Sequence, residues 1–406
     1  MAPSLRHRDH TGVDHYVGLP RPAGREAAAE RLQSFGFPGR RDEDWFYTPT
    51  KRLLEARFTP VVGSPAAVSA ELRSELPEGA RAVFVDGLFD AELSTVVGHL
   101  AGRLDPAAPP AALLGDPLGF DALNAVLWRD GVELTLAEAD LLHLVHISTG
   151  TQRLGVVRHR IVLPEGATAT VMEHHLGEGG ASLVASVTEL DLAARATLHH
   201  VLLQQADAAS HHVHTVRVRV GAGAAYHGSS VQAQALLARL SWHVELAGEG
   251  AFTRLAGVAL GVGRSHVDHH LLVDHAVPGC TSRQDVRAVL DGHARSVFTG
   301  KVVVREGAQQ TDSEQANHSL LLSDDAVANT RPQLEIYADD VTCAHGATVG
   351  SIDDDSLFYL RQRGLSPAAA RGLLMEGFAR AVLAELPEGP AHDLSHALVS
   401  RWLAAR

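Results

Sequence analysis

Cysteine is scarce in this chain, with Cys280 and Cys343 as the only two among 406 residues. Two cysteines cannot build a disulfide framework, so each thiol is free for burial, for catalysis or for a metal ion. Long apolar runs are missing as well, because no stretch approaches the roughly 18 apolar residues that a membrane span needs. Residues 1–15 contain no apolar signal core. We therefore expect a cytoplasmic protein that does not bind membranes.

Basic clusters and nucleotide motifs are also missing. The net charge is −13 and the basic residues are spread along the chain, so a nucleic-acid surface is not expected. Gly300-Lys301 lacks the first glycine and the Ser/Thr of a P-loop, and the runs at Gly221 and Gly261 lack the third glycine of a dinucleotide fingerprint. There is no G-x-S-x-G or H-E-x-x-H motif. The sequence predicts a protein that does not hydrolyse ATP itself.

Helical patterns occupy the two ends of the chain. The N-terminal part predicts helices over residues 25–35, around Leu53-Leu54 and over 120–129, one strand over 81–86, and a Pro-rich linker at 106–110. The C-terminal part predicts helices over residues 356–363, 367–386 and 392–403. Trp45, Phe46 and Tyr47 lie between a charged segment and the short helix around Leu53-Leu54. They are interpreted as an aromatic anchor that docks a small helical domain, with ligand binding as the alternative.

Residues 141–322 have almost no helical periodicity and consist of short alternating or β-branched runs. A small residue followed by a strand-like run recurs at Gly166, Ala194, Gly223 and Gly250, at intervals of 28, 29 and 27 residues, with a weaker copy at Ala294. Such a period favours a parallel β-helix with three short strands in each coil. The alternative is an antiparallel sandwich, which would place turns every ~8–12 residues without a fixed register.

Cys343 and His345 are the first candidate site residues. Only Ala344 separates them, so on a strand both side chains point to the same face, where a thiolate and an imidazole suit iron or zinc. Gly346 to Gly350 then predict a small-residue turn. From the spacing alone, an edge thiol beside a surface histidine is favoured over metal binding. Because two ligands cannot complete a tetrahedral site, a partner chain or an exogenous ligand must finish it, and the site is expected at an interface.

Other polar clusters have plainer interpretations. His211, His212 and His214, with His266, His269 and His270, could form a metal centre in a cupin-like barrel, but no well-placed Glu or glycine framing accompanies them. Outward-facing, solvated histidines are the preferred interpretation. His174-His175 and His199-His200 occupy similar places in successive repeats and would stack into ladders. The polar run from Gln309 to Asn317 predicts a hydrogen-bonded ladder along the coils.

Several longer segments resemble a known family. They are TSRQDV, VFTGKVVV, AQQTDSEQANHSLLLSD and PQLEIYADDVTCAHGATVGSIDDDSLFYLRQRG, which fall between Cys280 and Gly364. Together they resemble the SufB/SufD family of iron–sulfur cluster assembly scaffolds, and HGATVG after the Cys-x-His pair is more similar to the SufD branch. The Trp45 to Tyr47 segment resembles the N-terminal signature of the same family. Outside these segments the resemblance is thin.

The resemblance implies a right-handed parallel β-helix core over residues 141–345, between a helical or mixed N-terminal domain over 1–140 and a helical C-terminal domain over 346–406. It implies a SUF scaffold subunit that pairs with SufB through the β-helix and with the SufC ABC ATPase through the C-terminal helices. Cys343 and His345 become candidate ligands for iron or a nascent iron–sulfur cluster at the partner interface. The cargo would be transient, with nothing tightly bound to the chain alone, and the isolated chain would pair with a second copy.

Two rival classes remain at this stage. One is a metal-dependent β-fold enzyme, either cupin-like and using the histidine clusters or acting on carbohydrate from a β-helix. The carbohydrate-active version predicts an acidic groove with paired carboxylates. The other is a self-assembling structural β-solenoid, which needs no ligand.

Overall fold

The computed structural model describes residues 9–96, 98–105, 119–137 and 140–405. The predicted linker at 106–110 lies outside these residues. Four short strands open the chain: β1 (Thr59–Pro60), β2 (Arg81–Val85), β3 (Leu88–Asp90) and β4 (Glu133–Thr135). Fifteen longer strands follow: β5 (Asp140–Thr149), β6 (Arg153–Leu163), β7 (Thr168–Glu178), β8 (Ser182–Leu192), β9 (Thr197–Gln205), β10 (His211–Val220), β11 (Ala225–Ala233), β12 (Leu237–Leu246), β13 (Phe252–Gly261), β14 (His266–His275), β15 (Thr281–Leu290), β16 (Arg295–Val304), β17 (Thr311–Leu321), β18 (Val327–Ile336) and β19 (Val341–Gly350).

Helices lie before and among the four short strands and again after the long strands. They are α1 (Val13–Val17), α2 (Glu26–Phe35), α3 (Lys51–Glu55), α4 (Ala70–Ser74), α5 (Phe120–Leu127), α6 (Asp354–Gln362), α7 (Pro367–Arg380) and α8 (Pro390–Ala404), with 3-10 turns at Glu43–Trp45, Gly98–Ala101 and Ala381–Leu383. The predicted helices are therefore confirmed, although the one expected to reach residue 386 gives way to a 3-10 turn after Arg380. No helix in the described ranges is long and apolar enough to cross a membrane.

The strands form a mainly β, parallel solenoid of about seven turns, which confirms the predicted β-helix. Odd-numbered strands from β5 to β19 lie side by side in one sheet, and even-numbered strands from β6 to β18 lie in the other. Each coil therefore contributes two long strands, and the expected three per coil is wrong. All pairings among these long strands are parallel, which excludes the antiparallel sandwich. The division into domains at residues 140 and 345 stays a prediction.

The sequence repeat marks the turn that precedes the odd-numbered strands from β7 to β15. Gly166, Gly223, Gly250 and Gly279 have positive φ of 72°, 61°, 70° and 69°, each two residues before its strand. Glycine adopts this left-handed conformation without the steric cost of a Cβ atom. Arg195 holds the equivalent position at φ 59°. The predicted copies from Gly166 to Gly250 are confirmed as neighbouring coils.

The weaker copy at Ala294 is wrong, because it leads into β16 of the opposite sheet. The repeat instead continues at Gly279, before β15. This continuation keeps the spacing of the repeat, because Phe252 pairs with Thr281, 29 positions later. The spacing changes only in the next coil, where Thr281 pairs with Asp312, 31 positions later.

The N-terminal segment is attached to the outer face of the even-numbered sheet. Asn124 of α5 is fully buried, and its Nδ2 donates to the carbonyls of Val157 and Ala185, at 2.8 and 2.9 Å. Trp45 stacks on Phe120 with 5.3 Å between ring centroids. The aromatic anchor is therefore confirmed for Trp45. It is wrong for the two following residues, Phe46 and Tyr47, which are 52% and 41% exposed.

The C-terminal helices cover the outer face of the odd-numbered sheet. Buried side chains of α7 and α8, including Met375, Ala379, Val399 and Trp402, form one apolar cluster with residues of β9, β11, β13 and β15. Asp353 caps α6 by accepting from the Ser356 backbone N–H at 2.8 Å. The turn predicted after His345 is wrong, because β19 continues through Gly350 and the tail begins only after it.

Polar side chains interrupt the apolar interior at several levels. His269 is buried and its Nε2 lies 3.1 Å from Ser230 Oγ, and His275 Nε2 lies 2.9 Å from Ser282 Oγ. Burial lowers the pKa of His269 and of His275 to about 4. Both rings are therefore neutral at pH 7.

This burial predicts that the fold loses stability in mild acid. In the unfolded chain a histidine binds a proton near pH 6.5, whereas folded His269 does so only near pH 4. The unfolded state binds more protons between these values, so the free energy of unfolding falls as the pH drops, by about 2 kcal/mol at pH 5 for one such histidine. We expect His269→Gln to shrink the difference in unfolding free energy between pH 7 and pH 5 by that amount in denaturant titrations. The exposed-site control, His293→Gln, should keep the full difference, and an unchanged difference in His269→Gln would contradict the assignment.

Candidate functional site

Cys343 and His345 lie on β19, at the C-terminal end of the solenoid. Cys343 pairs in register with Ser313, and His345 with Gln315. Ser313 and Gln315 are buried in the interior, so Cys343 and His345 share the inward-facing side of their strand, as their spacing predicts. Since no further coil of the described chain follows, Cys343 is only partly buried and His345 is exposed. Their role as metal ligands stays a prediction.

The environment of Cys343 favours the protonated thiol. Partial burial raises its pKa above the ordinary value, the Asp312 carboxylate raises it further, and a hydrogen bond with the Ser313 backbone lowers it. The thiolate is the form that ligates metal or attacks as a nucleophile. An approaching cation or base is therefore needed before this sulfur becomes a strong ligand near neutral pH.

Both sheets end at this face in unpaired strand edges. β18 and β19 are the last strands of their sheets, and in the part of the chain that the structure describes neither has a neighbour on its outer side. Ile336, Tyr337 and Val349 are exposed apolar side chains on or beside these strands. An exposed edge with free N–H and C=O groups can pair with a strand from another chain.

Cys280 has a different environment from Cys343. It is fully buried in the apolar cluster inside the solenoid, and its Sγ donates to the Gly248 carbonyl at 3.4 Å. Burial raises the pKa of this thiol too. These contacts give Cys280 a packing role, not a position at the candidate site.

The expectation of solvated histidines is wrong for most of the two clusters. His212, His214, His269 and His270 are buried, and His211 and His266 are partly buried. On the outer face the N-terminal segment covers the sheet: Asp44 lies 3.3 Å from His270 Nε2. The alternation along a strand could not reveal this covering, because it comes from residues more than 200 positions earlier in the chain.

Histidine ladders exist, but between other partners than expected. His146 stacks on His175 with 4.3 Å between centroids, and His199 stacks on His227 at 4.8 Å. The hydrogen-bonded ladder predicted over the polar run from Gln309 to Asn317 is confirmed for two residues. Gln315 donates to Gln284 Oε1 at 3.0 Å, and Asn317 donates to the Val286 carbonyl at 2.9 Å.

The cupin-like alternative is wrong, because the long strands form parallel solenoid sheets and not an antiparallel barrel. Two groups of buried side chains in the interior could nevertheless hold a metal ion. One consists of Glu173, His146 and His175, and the other of His175, His212 and His214. The sequence analysis missed Glu173. Its spacing to His175 equals that of Cys343 to His345, and that signal could have revealed it.

The burial of the two thiols predicts their reactivity. We expect an alkylating reagent to label Cys343 in the native protein and to reach Cys280 only after denaturation, because Cys280 is fully enclosed. The labelling rate of Cys343 should keep rising beyond the ordinary thiol pKa, since its own pKa is raised. Mass spectrometry of the labelled peptides measures both. Native labelling of Cys343→Ser would show that Cys280 is accessible and that the described packing is wrong.

Comparisons with known proteins point to one family. The model of the SUF system FeS cluster assembly SufBD core domain matches residues 146–378. The iron–sulfur cluster assembly protein SufD of Escherichia coli is 31% identical over 391 residues, covering 91% of this chain and 89% of that protein. A SufBD family protein of Synechocystis is 30% identical over 397 residues, covering 89% and 87%. A chloroplastic protein of Arabidopsis thaliana is 29% identical over 428 residues, covering 97% and 88%.

Proposed function

This chain belongs to the SufB/SufD family of iron–sulfur cluster assembly proteins, and from that premise we propose that it is a SufD-like scaffold subunit without catalytic activity of its own. It pairs with a SufB-like subunit and with a SufC-like ABC ATPase to build or transfer iron–sulfur clusters. The observation that carries the proposal is that no further coil of the described chain covers the C-terminal end of the solenoid. Cys343 and His345 lie there beside two unpaired strand edges.

The unpaired edges suit a partner that is itself a solenoid. Strands of such a partner can pair with the edges of β18 and β19 and extend both sheets, which satisfies their free backbone groups. Pro332 lacks an N–H and interrupts the hydrogen-bonding pattern of β18, so that edge is less regular than that of β19. In isolation a second copy of the chain can occupy the same edges, which supports a homodimer when the partner is absent.

Cys343 and His345 act on the cargo in this proposal. They supply a sulfur and a nitrogen ligand from the inward side of β19, and the partner supplies the remaining ligands for iron or a nascent cluster. The raised pKa of Cys343 means that the sulfur is deprotonated as the cargo binds, which keeps the free thiol weakly reactive between transfers.

The C-terminal helices provide the second docking surface. α7 and α8 bury one side against the sheet, whereas Phe358 and Tyr359 of α6 and Leu373 of α7 are 61%, 57% and 48% exposed. Exposed aromatic side chains are enriched at protein interfaces. We assign this surface to the ATPase subunit. The proposed location of the complex is the cytoplasm, where two free thiols stay reduced.

His345 is expected to matter for cluster formation more than any other exposed histidine. Its side chain is exposed and packs lightly, so His345→Ala should fold and assemble with both partners. Losing a partner that only orients a metal ligand typically costs about 10- to 100-fold, so losing a ligand itself should lower cluster formation at least about 10-fold. The measurement is iron and sulfide content, with visible absorption, of complexes reconstituted with the partners encoded in the same genome.

The matched control is His318→Ala, on the adjacent strand at the same end, whose ring bonds Thr348 Oγ1 at 2.8 Å. It should support normal cluster formation. Normal cluster formation with His345→Ala would rule out the proposed site, whereas failed assembly of His345→Ala would show that the residue acts in docking.

The ATPase surface is tested by replacing Phe358 and Tyr359 with alanine together. Both are exposed, so the solenoid should keep its thermal stability while ATPase co-purification falls at least tenfold, as for an interface hot spot. Deleting the whole tail would instead uncover the apolar face of the odd-numbered sheet. Val62→Ala, exposed by 60% in the N-terminal part, is the control and should bind normally. Undiminished ATPase binding by the double variant would show that the partner docks elsewhere.

A further inference from the structure

A second set of ligand atoms lies deep inside the solenoid, away from the C-terminal face. Glu173 and His175 point inward from β7, His146 stacks on His175 from β5, and His214 points inward from β10 of the opposite sheet. All four side chains are buried, with exposures between 0% and 4%. Two sheets and three coils therefore direct their polar atoms to one point in the interior.

The distances between the carboxylate oxygen and the imidazole nitrogens are too long for hydrogen bonds and close to the separation of two ligands on one metal ion. Glu173 Oε2 lies 3.6 Å from His146 Nε2, 3.8 Å from His175 Nε2 and 3.6 Å from His214 Nε2. Among the described residues this oxygen has no hydrogen-bond partner, and neither has His175 Nε2. Two ligands of a tetrahedral ion with bonds of about 2.0–2.1 Å are about 3.3–3.4 Å apart. Shifts of a few tenths of an ångström would bring each nitrogen to that distance from the carboxylate oxygen, and the donor atoms of His146, Glu173 and His175 all lie within 4.8 Å of one another.

The other carboxylate oxygen of Glu173 is held by a chain of hydrogen bonds. The Trp242 indole N–H donates to Tyr226 Oη at 3.0 Å, and Tyr226 Oη lies 2.9 Å from His200 Nδ1. His200 Nε2 lies 2.9 Å from Glu173 Oε1. Because the indole can only donate, Tyr226 donates to His200, and His200 then donates to the carboxylate. This chain orients Oε2 toward the three imidazoles, as supporting residues do around metal ligands.

Hydrogen bonds at two of the histidines are compatible with the tautomers that ligation requires. His175 Nδ1 lies 3.0 Å from His212 Nε2, and donation from His175 leaves its Nε2 lone pair facing Glu173. The Val132 backbone N–H donates to His159 Nδ1, so His159 carries its proton on Nε2, 3.4 Å from His146 Nε2. His146 therefore presents a lone pair at Nε2 as well. A metal ion would replace the long contact with His159.

The local charge favours a cation. Glu173 is fully buried among imidazoles that come from both sheets. Each ion-pair contact of Glu173 in the described chain is to a histidine. A buried carboxylate without a compensating positive charge is costly.

We propose that Glu173, His146 and His175, with His214 as the fourth donor, bind one divalent transition-metal ion inside the solenoid. Imidazole nitrogens and one carboxylate oxygen suit Zn²⁺ or Fe²⁺. The ion is resident and holds the two sheets together, since its ligands come from both. This site is separate from the cargo face at Cys343 and differs from the expectation that the isolated chain holds no metal tightly. Because the ligands are enclosed, the ion enters as the coils assemble.

The test is metal content after folding in the presence of metal. The full chain is denatured, stripped with a chelator and refolded anaerobically with Zn²⁺, Fe²⁺ or Co²⁺, and bound metal is measured by mass spectrometry after gel filtration. We expect about one ion per chain, resistant to chelator until the protein unfolds, and a higher Tm than for protein refolded without metal. Cobalt should give the visible absorption of tetrahedral coordination.

Glu173→Gln is the decisive variant, because the amide keeps the volume and still accepts from His200 but removes the charged ligand. It should fold, lose the bound ion and show a Tm that no longer depends on metal. His269→Gln, equally buried in the interior but outside the cluster, should keep the ion. Cys343→Ser with His345→Ala should keep it too, which separates this inference from the proposed cargo site.

Wild-type protein that refolds with far less than one ion per chain, and with the same Tm in every metal, would overturn the proposal. That outcome would show that the cluster holds no metal and that the Glu173 carboxylate instead shares a proton with the surrounding histidines. Metal retained equally by Glu173→Gln and His214→Gln would also overturn it, because the ion would then lie elsewhere.

Discussion

The structure depends on the stacking of parallel coils in register. A single coil cannot bury its inward side chains, so each strand gains both its hydrogen bonds and its packing from the coils before and after it. At the N-terminal end this requirement is met within the chain, because β2 pairs with β5 and the apolar residues Phe84, Leu134 and Leu136 close the interior. At the C-terminal end, β19 has only β17 beside it, and its inward face carries Cys343 and His345. The two ends of one solenoid therefore differ in how far the described chain itself covers their strand edges and inward faces.

Coil stacking also explains how polar side chains persist in the interior. Each inward position lies directly against the equivalent position of the next coil, so a polar residue finds its partner one coil away. Gln315 on Gln284 and Ser313 on Ser282 are examples, with donor–acceptor distances of 3.0 and 2.8 Å. Such pairs satisfy one donor and one acceptor each, although Gln284 Nε2 and Gln315 Oε1 have no partner among the described residues. Histidines tolerate the same burial by remaining neutral, which ties the stability of the fold to pH.

The sequence revealed the repeat because the turns before the odd-numbered strands from β7 to β15 each contain a left-handed residue, which is glycine in all but one of them. It could not reveal that each coil has two long strands, since strand runs and turns alternate in a similar way in both arrangements. The terminal helices were predictable from their caps and apolar faces, as at Ser366 before Pro367. The covering of the histidine clusters was not, because Asp44 reaches His270 only through the folding of the whole N-terminal segment. The pair Cys343 and His345 was visible from spacing, and Glu173 and His175 have the same spacing, but the approach of His214 from the opposite sheet could not be predicted from it.

Two similar pairs on the same sheet now have opposite surroundings. Glu173 and His175 on β7, like Cys343 and His345 on β19, are separated by one residue and face inward. The first pair has coils on both sides and the opposite sheet across from it, so His146 and His214 approach the same carboxylate oxygen. The second pair has a coil on one side only. In the proposed assembly, the presence of a following coil decides whether a set of donors is completed inside the chain or by a partner. In the proposed assembly, the solenoid therefore places the same local motif in a closed metal site and in an open transfer site.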